Sequence, residues 1–134
     1  MEVNFLPELI EQLTESTSVA LAKSIECKAI ATPLSNHDIA TTYVHQGSGG
    51  TPILLLHGFD SSVLEFRRLL PLLAEVNDTW AVDLLGFGFT DRSTGIKFSP
   101  TAIKTHLYYF WSSYRSPLPP LIKGGIMEGF ILYF

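Results

Sequence analysis

The hydrophobic pattern at the start of the chain is helical. Apolar residues recur every three to four positions, with glutamate and glutamine side chains between them. These residues are Phe5, Leu6, Leu9, Ile10 and Leu13. They predict an amphipathic helix that docks on the core through its apolar face, and a second helix is expected around residues 19–25.

From Lys28 onwards the pattern is typical of β-structure. Residues 29–32 and 39–45 are predicted to form two antiparallel strands, because turn-forming residues separate and follow them. The next run, residues 52–56, shows no alternation of apolar and polar positions. Both faces of this third strand must therefore be covered by other elements.

A strand–helix–strand unit is expected in the middle of the chain. Ser62 and Glu65 have the spacing of a capping box, and Pro71 is expected to bend or divide the helix that follows. The predicted buried stripe of that helix is Leu64, Phe66, Leu69, Leu70, Leu73 and Val76. Residues 79–83 form the next strand, and a right-handed crossover would make the two strands parallel.

A further helix is predicted to begin at Ser99 and Pro100, a side-chain cap followed by proline in the first turn. After Trp111 the helical pattern fails. We therefore divide the chain into an N-terminal helical segment (residues 1–27), a partial α/β domain (residues 28–111) and an atypical C-terminal tail (residues 112–134).

Composition narrows the classes of function. A net charge of −4 and a pI near 5.4 argue against a nucleic-acid partner, which would require clustered basic residues. Cys27 is the single cysteine, which favours a reducing compartment, and the first residues lack a signal-peptide pattern. Without a membrane-length apolar run, a cytoplasmic protein with no membrane partner is expected.

Two short motifs follow the third and fourth predicted strands. His57-Gly58-Phe59-Asp60 comes after the third, and Asp83 with the Gly86-x-Gly88 turn comes after the fourth. Together with the order of the elements, they resemble the oxyanion-loop half of the α/β-hydrolase fold family, over residues 29–111. The resemblance implies an incomplete α/β-hydrolase sheet, in which two antiparallel strands lead into a parallel βαβ unit with flanking helices.

The resemblance also implies roles for the loop residues. The backbone N–H of Phe59 would donate to an oxyanion hole, and His57, Gly58 and Asp60 would form the substrate-pocket loop. His57 matches the structural loop histidine of the family rather than its catalytic base. Asp83 and its glycine turn would shape the neighbouring loop, and they lack the third glycine of a phosphate-binding motif.

The catalytic residues of the family do not appear in this sequence. It contains no Gly-x-Ser-x-Gly, and the acid and histidine that should follow are absent, so no catalytic residue is assigned. An alternative triad of Ser62, Asp83 and His57 is disfavoured because Ser62 is better explained as a helix cap. Of the remaining histidines, His37 and His45 fall on a turn and a strand end, and His106 is expected within a helix without a partner; no metal or cofactor is implied.

The C-terminal tail contains a glycine pair with the spacing of a nucleophile elbow. Met127 stands between Gly125 and Gly129 where serine would be expected. Back-translation in the next frame permits a serine there, which favours a shifted reading frame. The family's sheet order places the fourth strand between the second and third, so residues 130–134 are the nearest substitute for the missing strand beside the third. Residues 121–134 are therefore expected either to be poorly ordered or to lie against this edge.

Three hypotheses follow. The first is a truncated, inactive α/β hydrolase whose complete relatives hydrolyse an ester, an amide or a carbon–carbon bond in a small molecule. The second is a non-catalytic binding or assembly module that uses the apolar C-terminal segment as its interface and should be soluble and monodisperse. Self-association through the open sheet edge is a further partner expectation. The third, a dehalogenase on the same scaffold, would need an aspartate nucleophile that is equally missing.

Overall fold

The computed structural model describes residues 15–92, 95–114, 126–127 and 130–133. The described helices are α1 (Ser16–Lys23), α2 (Leu69–Ala74) and α3 (Pro100–Ser112), and a 3₁₀ turn at Val63–Phe66 precedes α2. The strands are β1 (Glu26–Ile30), β2 (Ile39–Gln46), β3 (Ile53–Leu56), β4 (Thr79–Val82), β5 (Ile126–Met127) and β6 (Phe130–Tyr133). The helix predicted at residues 5–13 lies outside the described residues. None of the described helices has both the length and the apolar character needed to cross a bilayer.

The described strands form one mixed sheet in the order β1-β2-β4-β3-β6-β5. β1 and β2 pair antiparallel, as predicted, and β2 also pairs antiparallel with β4. β4 pairs parallel with β3, which confirms the predicted parallel pair. The fourth strand therefore lies between the second and the third, as the family resemblance implied.

The two faces of β3 pack into separate apolar clusters because successive side chains of a strand point to opposite faces. Leu54 and Leu56 belong to a cluster on the α3 side that includes Phe110. Ile53 and Leu55 belong to the opposite cluster, to which α1, the 3₁₀ turn and α2 contribute. Burying one such side chain completely contributes about 1.5–3 kcal/mol, so covering β3 on both faces stabilises the centre of the sheet.

The free side of β3 is occupied by the end of the chain. β6 pairs parallel with β3, with Ile131 opposite Ile53 and Leu132 opposite Leu54. β5 continues the sheet as an antiparallel neighbour of β6. Of the two outcomes expected for residues 121–134, pairing with this edge is the one observed, over Phe130–Tyr133.

The helical predictions are partly corrected. The chain divides at Arg67 and Arg68, between the 3₁₀ turn and α2, as expected from the proline four residues after Arg67. Val76 is 71% exposed and does not belong to the buried stripe, whereas Val63 is fully buried. The reason is the division itself: α2 ends at Ala74, so one continuous helical period does not extend to residue 76.

Helix α3 begins as predicted, since the Ser99 hydroxyl accepts the backbone N–H of Ala102 at 3.1 Å. The first strand begins three residues earlier than its apolar run, because its backbone pairing continues back to Glu26 opposite Tyr43. Backbone pairing rather than side-chain polarity therefore sets the start of β1.

Candidate active-site loop

Two loops meet at the carboxyl-terminal ends of β3 and β4, because these strands are parallel and end at the same place. We call residues 57–62 the β3 loop and residues 83–91 the β4 loop. The β3 loop contains the predicted pocket residues, and the β4 loop contains Asp83 and the glycine turn. The structure thus brings both sequence motifs to the same place.

The His57 side chain joins the two loops. It is 4% exposed, and its Nε2 lies 3.0 Å from the backbone nitrogen of Leu84. A backbone N–H can only donate, so Nε2 is the acceptor and the ring proton is on Nδ1. Nδ1 donates to the Gly58 carbonyl at 2.8 Å. Both ring nitrogens are used in holding the loops, which agrees with a structural role.

The Asp83 carboxylate is the buried centre of the β4 loop. It is fully buried and accepts the Thr42 hydroxyl at 2.6 Å, the Val63 N–H at 2.8 Å and the Phe89 N–H at 3.1 Å. A Cβ at Gly88, which has φ +55°, would lie 2.2 Å from this carboxylate, so glycine is required there. Asp83 therefore links β2, the start of the 3₁₀ turn and the β4 loop.

The alternative triad does not form in the part of the chain that the structure describes. The Ser62 hydroxyl accepts the Leu64 N–H at 3.2 Å, as a helix cap would. His57 is bonded to Leu84 and Gly58, and Asp83 has its own separate partners. None of the three residues is bonded to another of the three.

Glu65 has a role that differs from the capping-box prediction. Its carboxylate accepts the Gly58 N–H at 3.1 Å instead of returning to the backbone of Ser62. The Ser61 hydroxyl first, and then the Gly58 N–H, hold the pKa of Glu65 below its ordinary value. The sequence showed the glutamate but gave no signal for this contact, because its partner is a backbone group seven residues earlier.

Phe59 is presented to solvent. Its side chain is 86% exposed and makes an edge-to-face contact with Phe87 at 5.4 Å between ring centroids. Its backbone N–H has no acceptor among the described residues, whereas both the N–H and the C=O of Gly58 are bonded. Among the described residues, the Phe59 N–H is thus left free to donate to a bound molecule.

Asp60 has a backbone conformation that is uncommon for a non-glycine residue, whereas the conformation of Gly58 does not require glycine. Asp60 has φ +55°, and no other non-glycine residue in the described ranges has a positive φ. Such a conformation is uncommon and is found most often in turns and functional loops. Gly58 does not have a positive φ, and a Cβ there would meet nothing within 4 Å. Neither conformation nor packing requires glycine at position 58.

The remaining histidines lie away from this loop. His106 was expected to have no partner, and this was wrong: its Nε2 is 2.7 Å from the Thr41 hydroxyl. Because that hydroxyl donates to the Ile39 carbonyl, Nε2 of His106 must be the donor. Burial lowers the pKa of His106 to about 4. His45 stacks on Trp80 and bonds to Asp78.

Metal binding has no support in the described part of the chain, where no group of three potential ligands occurs. A pocket of about 140 Å³ opens at the β4 loop instead. Its lining residues are Leu85, Gly86, Asp91, Arg92, Ile96 and Phe98. Substrate sites commonly enclose about 300–1,000 Å³, so this pocket is too small to serve as one alone.

Comparison with known proteins assigns the family. Residues 51–116, which include both loops, match the family model described as the alpha/beta hydrolase fold. The chain belongs to the α/β-hydrolase fold family. The alpha/beta hydrolase domain-containing protein VTE7 of Arabidopsis thaliana is 33% identical over 116 residues, which cover 82% of this chain and 35% of that protein.

Solved structures of α/β-hydrolase relatives show the same fold. A meta-cleavage product hydrolase from Pseudomonas fluorescens is 30% identical with a TM-score of 0.53, over 63% of this chain and 30% of that one. The Cif epoxide hydrolase from Acinetobacter nosocomialis has a TM-score of 0.61 at 22% identity, over 85% of this chain and 34% of that one. This α/β-hydrolase chain spans about a third of the length of these relatives.

Proposed function

We propose that this chain supplies the oxyanion-loop part of an α/β-fold hydrolase. The Phe59 N–H is one donor of the oxyanion hole, and His57, Gly58 and Asp60 form the loop that faces a small-molecule substrate. The free Phe59 amide is the observation that carries the proposal, because it has no acceptor among the described residues. An oxyanion donor must be free in this way before substrate arrives.

The surroundings of Phe59 support this role. Glu65 and His57 bind the N–H and C=O of Gly58, so the peptide before Phe59 is held in one orientation. Preorganised donors need no rearrangement during reaction, which is the source of their effect on rate. The open space beside Gly58 would let a substrate approach the backbone closely.

The 134 residues contain no nucleophile elbow, and we propose that they are inactive as they stand. An oxyanion donor without a nucleophile and a base leaves little beyond weak binding. Complete relatives would cleave an ester, an amide or a carbon–carbon bond, and a meta-cleavage product hydrolase is among the similar structures. No cofactor is needed for such chemistry. A cytoplasmic location remains a prediction.

The alternative is a non-catalytic binding or assembly module on the same scaffold. The pairing of β6 with β3 favours the module, because the chain extends its own sheet beside β3 without a strand from another chain or from a longer domain. A soluble, monodisperse chain would support the module, whereas self-association through a sheet edge would appear as concentration-dependent oligomers.

Transfer of the β3 loop into a complete relative tests the oxyanion role. The recipient is the Pseudomonas fluorescens hydrolase, with its own loop replaced by residues 57–65 of this chain. Phe59→Ala keeps the amide and should leave kcat within a few-fold of the unmodified chimera. Phe59→Pro removes the N–H and should lower kcat by about 10²–10³, with little change in KM.

The alanine variant controls for loss of the aromatic ring. Equal rates for the proline and alanine variants would contradict the assignment of Phe59. A folded chimera with the unmodified loop and no activity would contradict the proposed function of the loop as a whole.

A further inference from the structure

Three phenylalanine rings form a row that starts at the proposed oxyanion donor. Phe87 lies in the middle, with its ring centroid 5.4 Å from that of Phe59 and 5.2 Å from that of Phe98. The interplanar angles are 74° and 80°, so both contacts are edge-to-face. This is a favourable arrangement for aromatic rings, and the three rings therefore support one another. We call them the aromatic row.

The outer rings of the aromatic row are exposed. Phe59 is 86% exposed and Phe98 is 48% exposed. Phe98 lies against the β4 loop because Gly86 leaves room for it: a Cβ on Gly86 would be 2.3 Å from the Phe98 ring. Gly86 also has φ +85°, a conformation that favours glycine. The row is thus a positioned aromatic surface that is open on its outer side.

The aromatic row connects the free amide to the pocket at the β4 loop. At one end is Phe59, whose backbone N–H has no acceptor among the described residues. At the other end is Phe98, which lines the pocket together with Leu85 and Ile96. The amide and the pocket are therefore the two ends of one continuous surface, which a single ligand can contact.

The size and the charge of the pocket indicate which group it takes. An apolar cavity of about 150 Å³ can hold benzene, and this pocket has a volume of about 140 Å³. Its lining includes one acidic and one basic side chain, Asp91 and Arg92, so their formal charges balance. An uncharged ring of the size of benzene therefore fits the pocket in both respects.

We propose that the aromatic row and the pocket bind the phenyl group of an uncharged carbonyl compound whose oxygen accepts the Phe59 N–H. This inference rests on the proposed function, because it takes that N–H as the oxyanion donor. An aromatic group is selected over an aliphatic one, since contacts between rings add to the gain from burying apolar area. The substrate class of the site is thus an aryl-substituted ester or ketone, and the pocket is the ring-binding end of a larger site.

An NMR titration of the isotope-labelled full-length chain tests the ligand class. The probe is benzylacetone, a ketone that has the ring and the carbonyl group but no ester bond to hydrolyse. Its cyclohexyl analogue is the matched control, because it has the same carbonyl chain and a saturated, more hydrophobic ring. Benzylacetone should bind about fivefold more tightly than the analogue, and it should shift the Phe59 amide signal to saturation.

Variants of the outer rings test the aromatic row. Phe98→Leu keeps an apolar side chain but removes the ring, so it should weaken benzylacetone binding about fivefold and change binding of the analogue by less than about twofold. Phe59→Leu, which keeps the backbone N–H, should have the same effect. Tyr109→Leu is the control, because Tyr109 is an aromatic residue of α3, 37% exposed, that belongs to neither the row nor the pocket lining. Its affinity for benzylacetone should be unchanged.

Equal affinities for the two ketones, or no saturable binding, would overturn the proposal. So would a loss of affinity in Tyr109→Leu as large as that in Phe98→Leu. A concentration-dependent dimer in sedimentation that disappears in Phe98→Leu would assign the row to a second copy instead.

The Phe59 amide signal separates failure of this inference from failure of the proposed function. If the signal moves but Phe98→Leu and Phe59→Leu bind benzylacetone as tightly as the unmodified chain, the ring site is overturned and the donor assignment stands. If the signal does not move when benzylacetone is saturating, the proposed function is contradicted, and this inference with it.

Discussion

Gly58 is held through both of its backbone hydrogen-bonding groups. Glu65 accepts from its N–H and the His57 ring donates to its carbonyl. Because the Gly58 carbonyl and the Phe59 N–H belong to one planar peptide unit, the His57 contact directs the Phe59 N–H, and the Glu65 contact holds the preceding peptide unit. One carboxylate outside the motif therefore contributes to the orientation of the proposed donor.

The Glu65 contact should depend on pH. The pKa of Glu65 is lowered in the folded chain, so the stability from this contact is present above the unfolded value of about 4.3 and is lost as pH falls through the lower folded value. The Gly58 amide signal in NMR should shift over that acidic range, and its hydrogen exchange should accelerate. In Glu65→Gln the acceptor is kept without the titration, so the Gly58 shift should become independent of pH. The same titration of Gly58 in both proteins would rule out Glu65 as its cause.

At the scale of single residues, the sequence motifs identified the loop residues but did not predict side-chain contacts between distant parts of the chain. His57, Gly58 and Phe59 were found because they adjoin a strand end. The loop role of Glu65 was not found, since nothing local shows which backbone group a carboxylate will bind. The partner of His106 was missed for the same reason: Thr41 is 65 residues away along the chain.

Strand β6 pairs with the side of β3 that β4 does not occupy. Without it, β3 would expose unpaired backbone groups beside an apolar strand, which is a template for aggregation. Deleting residues 129–134 should therefore lower solubility, measured as the soluble fraction after expression and by light scattering. A rise in solubility would mean that the segment acts only as an apolar tail, and the strand-substitution idea would be dropped.

Elements were predictable where local signals agreed with packing. Ser99 and Pro100 marked the start of α3 because capping is determined by neighbouring residues. The inclusion of Val76 in a buried stripe failed because the stripe was drawn at one helical period through residues 64–76, although Pro71 was expected to bend or divide the helix. The division at Arg67 and Arg68 re-oriented the later residues, and the pattern alone could not give the new angle.

The whole molecule combines a formed β3 loop with a sequence that has no nucleophile elbow. We therefore expect the purified chain to hydrolyse short p-nitrophenyl esters no faster than its Ser62→Ala variant, which removes the serine of the alternative triad. Release of p-nitrophenol measured by absorbance checks this. Robust turnover that disappears in Ser62→Ala would overturn the proposal of an inactive chain. The division into three segments and the shifted reading frame remain predictions.

The pairing of β6 with β3 also has a kinetic consequence. Its partners lie roughly 80 residues apart, the greatest separation among the described strand pairs, so it carries the largest loop-closure entropy. β6 is also synthesised after every other described strand. During translation, β3 therefore remains unpaired on one side until the ribosome has completed the rest of the sheet. In that interval a chaperone, or a neighbouring nascent chain, could bind to β3 before β6 reaches it.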